Sequence, residues 1–105
     1  MSEIPSRQYH KVKDEHGDFM ESVEALGQAT KKAGPIDEKT AHLIQLAAAA
    51  AIRSEGAVHS HTRRAHESGA SRAEIHHALI LLASTIGFPT VTAALSWADD
   101  VLEKS

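Results

Sequence analysis

Cysteine is absent from this 105-residue sequence, which removes disulfides, thiolate nucleophiles and sulfur-ligated zinc together. Aromatic residues are scarce at 4%, and although 42% of the chain is hydrophobic, much of that is alanine, which buries little area per residue. One domain of this size built from such residues has a thin core, and burial of helix faces between subunits is a standard remedy. A homo-oligomer is therefore expected. Neither sign of charge dominates: 14 acidic and 11 basic residues give a formal charge of -3. No basic stripe is available to grip a phosphate backbone, so nucleic acid is not an expected partner. The longest apolar run, Leu46 to Ile52, is far short of the ~20 residues that span a bilayer. The N-terminus carries charges where a signal peptide needs an apolar stretch. The expectation is a soluble cytoplasmic protein without a membrane partner.

What the sequence does contain is helical periodicity in a single domain over residues 1–105. Residues 1–17 are polar and mixed, with Tyr9 and Val12 as apolar points, and read as a short helix or lead-in arm. From Asp18, Phe19, Met20, Val23, Leu26 and Ala29 or Thr30 recur at three- and four-residue steps until Gly34-Pro35, which spells an amphipathic helix. Gly27 is either a weak point or a close helix contact. Asp37 is placed to cap the next helix, which carries Leu43, Ile44, Leu46 and the alanines 47–51. Gly56 suggests a kink or joint before a helix from about Ala57 to Ser68 that ends at Gly69. Ser71 and Glu74 spell a capping box. The helix they start has Ile75, Ala78, Leu79, Leu82 and Ile86 inward, with Ile80 and Leu81 widening the stripe, and stops at Gly87. Pro89 opens a last helix with Val91, Ala94, Leu95, Ala98, Val101 and Leu102 inward and Trp97 on a flank or interface. The fold class is all-α, with about five to six helices.

The run Asp37 to Leu46 with the alanines after it, then His61 to Ala65, Gly69 to Ser71 with Glu74-Ile75, and Gly87-Phe88-Pro89, resembles the carboxymuconolactone decarboxylase superfamily. More narrowly, it looks like the short alkyl hydroperoxide reductase D-like branch, over roughly Gly34 to Leu102. The resemblance implies a helical subunit that assembles as a trimer or hexamer with its site near subunit contacts. In peroxidase-like members the site is Cys-x-x-Cys, three residues and a histidine, with a glutamate twelve positions before the first cysteine. Counting back from His61, those places hold Ser54, Ala57 and His42. Thiol peroxidase chemistry needs a thiolate to attack and a second thiol to resolve the sulfenic acid, so it is excluded here. The decarboxylase branch commonly has a glutamate four residues before the histidine. Here that place holds Ala57, and Glu55 is two residues away.

If the family's convergence holds, His42 and His61 meet in one pocket with Ser54 nearby. Two imidazoles could act as an acid and base couple near neutral pH. The candidate catalytic residues are thus His61 for proton transfer, His42 as its partner and Ser54 as hydrogen-bond donor, with Arg64 and Glu55 as candidates for binding substrate. The matching function is lyase- or isomerase-like acid/base chemistry on a small organic acid or lactone, without a cofactor. Two alternatives stay open. One is an oligomeric scaffold in which His42 is a polar plug bonded to His61 or Ser54. The other is a zinc or iron centre on His42, His59 and His61, which needs an irregular turn near Gly56 because a His-x-His on a regular helix points its rings about 200° apart. His59 otherwise belongs to an exposed Glu55, His59, Arg63 ladder. His66, His76 and His77 read as surface residues, and of Arg63 and Arg64 one reads as a solvated charge and the other as an intersubunit ion pair.

Overall fold

A computed structural model describes residues 7–104, and among these seven helical segments occur and no strand. They are α1 (Arg7–Glu15), α2 (Gly17–Lys32), α3 (Glu38–Ala51), α4 (Glu55–Glu67), α5 (Arg72–Ile80), α6 (Ala83–Ile86) and α7 (Phe88–Leu102). The first residues of the expected lead-in arm lie outside the described residues; the rest of it is α1 and its junction with α2.

The helix starts follow local chemistry. Asp37 caps α3 by accepting from the Thr40 amide at 3.0 Å. The capping box is complete: the Glu74 amide donates to Ser71 Oγ at 3.0 Å, and the Ser71 amide donates to Glu74 Oε1 at 2.9 Å. At the end of α4, Gly69 takes φ +103° and the Ala70 amide reaches back to the Ala65 carbonyl at 2.9 Å. That turn favours glycine because its positive φ strains an L side chain against its own backbone, although a Cβ there would meet no neighbouring group within 4 Å.

The joint between α3 and α4 is not at Gly56. Gly56 lies in the first turn of α4, and the chain reverses over residues 52–54 with Arg53 in the left-handed region at φ +58°. Arg53 anchors that turn by donating from Nη2 to Thr90 Oγ1 on α7 at 2.7 Å. A second difference is the break of the expected 72–86 helix into α5 and α6 across Leu81-Leu82, where the Leu82 amide bonds three residues back to Leu79. The core face survives, since Ile75 and Leu79 are fully buried, but Ile80 and Leu81 point outward.

The core lies among α3, α4, α5 and α7. Leu46, Ala50, Val58, Ala65, Ile75, Leu79, Ala94 and Ala98 are all fully buried there, with Trp97 and Leu95 packed against them. The alanines on α3, α4 and α7 let backbones approach closely, and α3 against α4 is the most extensive of the packings. The N-terminal pair differs. α1 buries no residue and packs on α2, while α2 buries only Met20. A radius of gyration of 13.9 Å, against about 13 Å for a compact chain of this length, fits a hairpin that stands partly off the bundle.

The orientation of α2 reverses the expectation for its apolar stripe. Met20, Glu24, Gly27 and Lys31 are the positions sheltered from solvent. Phe19, Val23 and Leu26 are 61%, 42% and 65% exposed. The two rows are one residue out of phase, hence about 100° apart around the helix. Gly27 is not a close contact either, because a Cβ built there meets nothing within 4 Å. Among the described residues no helix is long and apolar enough to cross a membrane.

Candidate functional site

α3 and α4 bring His42 and His61 together, with ring centroids 5.9 Å apart and planes tilted by 38°. His42 is 4% exposed because it lies on the same face of α3 as Leu46 and Ala49, both in the core. His61 is half-buried on α4, one residue from the fully buried Thr62. The Nδ1 atoms of both rings are buried and have no hydrogen-bond partner, and the same holds for Thr62 Oγ1 and Arg63 Nε. A buried polar atom without a partner is costly in a folded protein, and a bound ligand is one way to satisfy it. At neither Nδ1 is there a bond to the other ring or to Ser54 of the kind the polar-plug alternative would use.

The electrostatic setting is cationic. Burial is the main cause that pushes His61 down to about 4, and the charges of Arg64, His42, Lys31 and Arg63 all act in the same direction. His42 is also lowered, first by burial and then by Lys31 and Arg64; Glu38, whose carboxylate is 3.7 Å from His42 Nε2, opposes this. Glu38 is largely exposed, so its influence is weakened by solvent. Both rings are therefore neutral at pH 7, which differs from the expectation of a couple titrating near neutrality. Neutral imidazole offers one acceptor nitrogen and one donor.

Lys31 brings α2 to the edge of this pair. Its Nζ donates to Gln45 Oε1 on α3 at 2.7 Å, and burial together with Arg64 lowers its pKa. Two turns earlier in the same row of α2, Tyr9 Oη donates to Glu24, which also takes Lys13 at 3.4 Å. A cleft of about 230 Å³ opens beside the pair, between the end of α2 and the start of α3, lined by Lys31, Gly34, Pro35, Ile36, Ile44 and Gln45 among others. Neither imidazole is in its wall.

The remaining candidates are distributed as follows. Ser54 is the N-cap of α4, its Oγ accepting from the Ala57 amide at 3.3 Å. It shares a helix face with His61 but is seven residues earlier, roughly 10 Å along the axis. Arg64, one turn after His61, is the strongest charge acting on that ring. Glu55 is set with His59 instead of with the imidazole pair: its carboxylate lies 3.9 Å from His59 Nε2. His59 donates to Asp100 on α7 at 3.1 Å. Because α4 is regular from Glu55 onward, the rings of His59 and His61 diverge. Among the described residues, the ligand-type atoms that converge within 4.8 Å of one another belong to Glu55, His59 and Asp100, so His59 is drawn to α7, away from the proposed set with His42 and His61.

Arg63 departs from the exposed ladder expected of it. Its side chain is 14% exposed and pairs with Glu67 at 3.7 Å. His76, read from the sequence as a surface residue, is half-buried and donates to Asp99 at 2.7 Å, alongside Arg72 at 3.3 Å. Adjacent aspartates on α7 thus hold α4 through His59 and α5 through His76. The sequence signal was available only as Asp99-Asp100 on the polar flank of an apolar helix, with nothing to say which histidines would reach it.

Residues 17–100 match the sequence model of the carboxymuconolactone decarboxylase family. That span takes in α2 to most of α7, including every residue of the imidazole pair and its cationic surround. No curated protein and no solved structure matches the chain.

Proposed function

The chain belongs to the carboxymuconolactone decarboxylase family, and from that premise we propose that its working site is the His42 and His61 pair, which takes a small organic acid or lactone and transfers a proton at His61. The observation that carries this reading is the pairing of two unpartnered, buried imidazole nitrogens with a surround of Lys31, Arg63 and Arg64. A carboxylate answers both features. It accepts hydrogen bonds, and its charge offsets cations that otherwise hold the rings neutral.

The chemistry follows from that offset. In the free chain, His61 at about 4 is a weak base. Entry of an anion raises its affinity for a proton toward the range in which a general base is effective at pH 7. His61 then accepts the proton from carbon or oxygen of the bound acid, and His42 holds the ring or the ligand by hydrogen bonding. Arg64 fixes the carboxylate, whereas Ser54, at the N-cap of α4 and roughly 10 Å along the axis from His61, is too far away to share the same small ligand. The reading calls for no cofactor. It includes self-assembly, for which the resemblance gives a trimer or hexamer. The chain has no cysteine, so a disulfide-based peroxidase cycle has no residues to run on.

Calorimetric titration and turnover assays with short mono- and dicarboxylates and their lactones test this. Wild-type protein should bind at least one of them with uptake of protons at pH 6. His61→Ala and Arg64→Ala should each weaken binding about tenfold or more, the value of one hydrogen bond involving a charged group. Peroxide consumption should stay at background. Unchanged affinity and turnover in His61→Ala would remove the pair from function and leave the oligomeric scaffold as the better account.

A further inference from the structure

The cleft of about 230 Å³ between the end of α2 and the start of α3 has two kinds of surface. Pro35, Ile36, Ala41 and Ile44 make most of its wall apolar, while Lys31 and Gln45 supply a polar part. We propose that this cleft receives the apolar tail of a carboxylic acid whose head group binds at Lys31, beside the His42 and His61 pair. The inference rests on the reading of that pair as the working site. It narrows the class of acid to one that is charged at one end and hydrocarbon at the other.

The polar part places the head group. Gln45 follows His42 by three residues on α3, so the two side chains lie on one side of that helix. The Gln45 amide oxygen accepts from Lys31 Nζ at 2.7 Å. That bond stands between the cleft, whose wall includes both residues, and the rings, which are outside that wall. The charge of Lys31 nevertheless reaches both imidazoles. Among the described residues Lys31 is half-buried, bonded to a neutral amide and paired with no carboxylate. A sheltered ammonium with only a neutral partner is a receptor for an anion. Arg64, whose charge acts on the same rings and on Lys31 itself, is the second cation for that head group.

The apolar wall defines the tail. Ile36 and Ile44 are 53% and 51% exposed at the cleft, so covering them removes apolar surface from water, which is the gain that a hydrocarbon chain brings. Volume limits the length of that chain. A dry apolar cavity of ~150 Å³ takes up benzene, so 230 Å³ corresponds by the same measure to a tail of roughly six to eight carbons. A short diacid would fit poorly. It would leave the isoleucines wet, or else bring its second carboxylate against Pro35 and the isoleucines, where that charge loses water.

Calorimetric titration of the full chain with straight-chain monocarboxylates from acetate to decanoate, together with methyl NMR, tests this. Affinity should rise about two- to fourfold for each added carbon, as methylenes leave water, and level off at about eight carbons. Octanoate should shift the methyl signals of Ile36 and Ile44 and leave those of Leu26, on the outer face of α2, unmoved. Ile36→Ser with Ile44→Ser changes positions that are already half in solvent, and it should flatten the series to the acetate value. Lys31→Gln should weaken every member about tenfold without changing the slope. The proposal is overturned by a series without length dependence, by a slope that survives the double serine variant, by shifts at Leu26 in place of the isoleucines, or by unchanged affinity in Lys31→Gln. Failure of the imidazole pair is read separately, through His61→Ala. If the length dependence and isoleucine shifts hold while that variant binds acids with the proton uptake of wild type, the cleft stands and the pair is not the working site. If acetate binds with proton uptake that His61→Ala abolishes, and longer acids gain nothing, the pair stands and the tail site is lost.

Discussion

The bundle of α3, α4, α5 and α7 and the hairpin of α1 and α2 are both helical, and they are held by different physics. In the bundle, apolar faces meet one another, and Leu46, Val58, Ile75 and Leu79 lose all contact with water. In the hairpin the apolar face looks outward. What binds it to the rest of its own chain includes the link from Lys31 to Gln45, and what binds α1 to α2 includes Tyr9 and Lys13 on Glu24. Partly buried polar contacts of this kind each contribute less than a fully buried leucine. The comparison teaches that helical periodicity specifies an apolar face without specifying its partner. In four helices the apolar face is covered within the chain, and in α2 it is left open to solvent.

The largest effect that would sharpen this contrast comes from truncating one leucine in each region. Leu79→Ala should cost about 2–5 kcal/mol, because it leaves a cavity in a fully buried site. Leu26→Ala should cost under about 1 kcal/mol in dilute protein, where its side chain is already 65% exposed. Urea denaturation at low and high protein concentration checks both. The cost at Leu26 should rise with concentration if the stripe is covered by a second copy. Equal costs at low concentration would break the distinction between the regions.

An intermediate effect is expected at the seam, where the imidazole pair lies between bundle and hairpin. His61 is held at about 4 in the folded chain and near 6.5 when unfolded. Between those values the unfolded state binds more protons. The contribution is therefore fully present above pH 6.5 and is lost as pH falls toward 4, at up to about 1.4 kcal/mol for each unit of separation. His42 acts in the same direction. Denaturation midpoints measured from pH 7.5 to 5 should fall, and His61→Gln should flatten the slope. An equally steep slope in the variant would show that the seam is not closed.

The smallest effect is at Gly27. It is helical, faces the bundle, and a Cβ there meets nothing within 4 Å. Gly27→Ala should raise stability by about 0.5–1 kcal/mol, through the loss of backbone freedom in the unfolded chain. Thermal denaturation measures it. A loss of stability would mean that α2 sits closer to the bundle than these distances show.

Much of the fold was legible in the sequence because its signals are local. A cap bonds three residues away, so Asp37 and the Ser71, Glu74 pair announced α3 and α5 correctly. Gly69 marked the end of α4 for a similar reason, since a left-handed turn selects glycine. Gly56 misled by the same logic, because the left-handed position fell to Arg53, which a bond to Thr90 on a distant helix supports. The meeting of His42 and His61 was legible through the family's spacing. The fate of Arg63, His59 and His76 was not, because each is decided by carboxylates or burial supplied across helices.

By itself, the sequence determined that this chain is helical, where most helices begin and end, and that no thiol chemistry is open to it. Those properties depend on backbone bonds within a turn or two and on which side chains exist. Only the tertiary structure decided which way α2 faces and that two imidazoles share a buried, cationic setting without partners for their Nδ1 atoms. Orientation and pKa depend on groups brought together from distant parts of the chain, and periodicity along one helix contains no information about them.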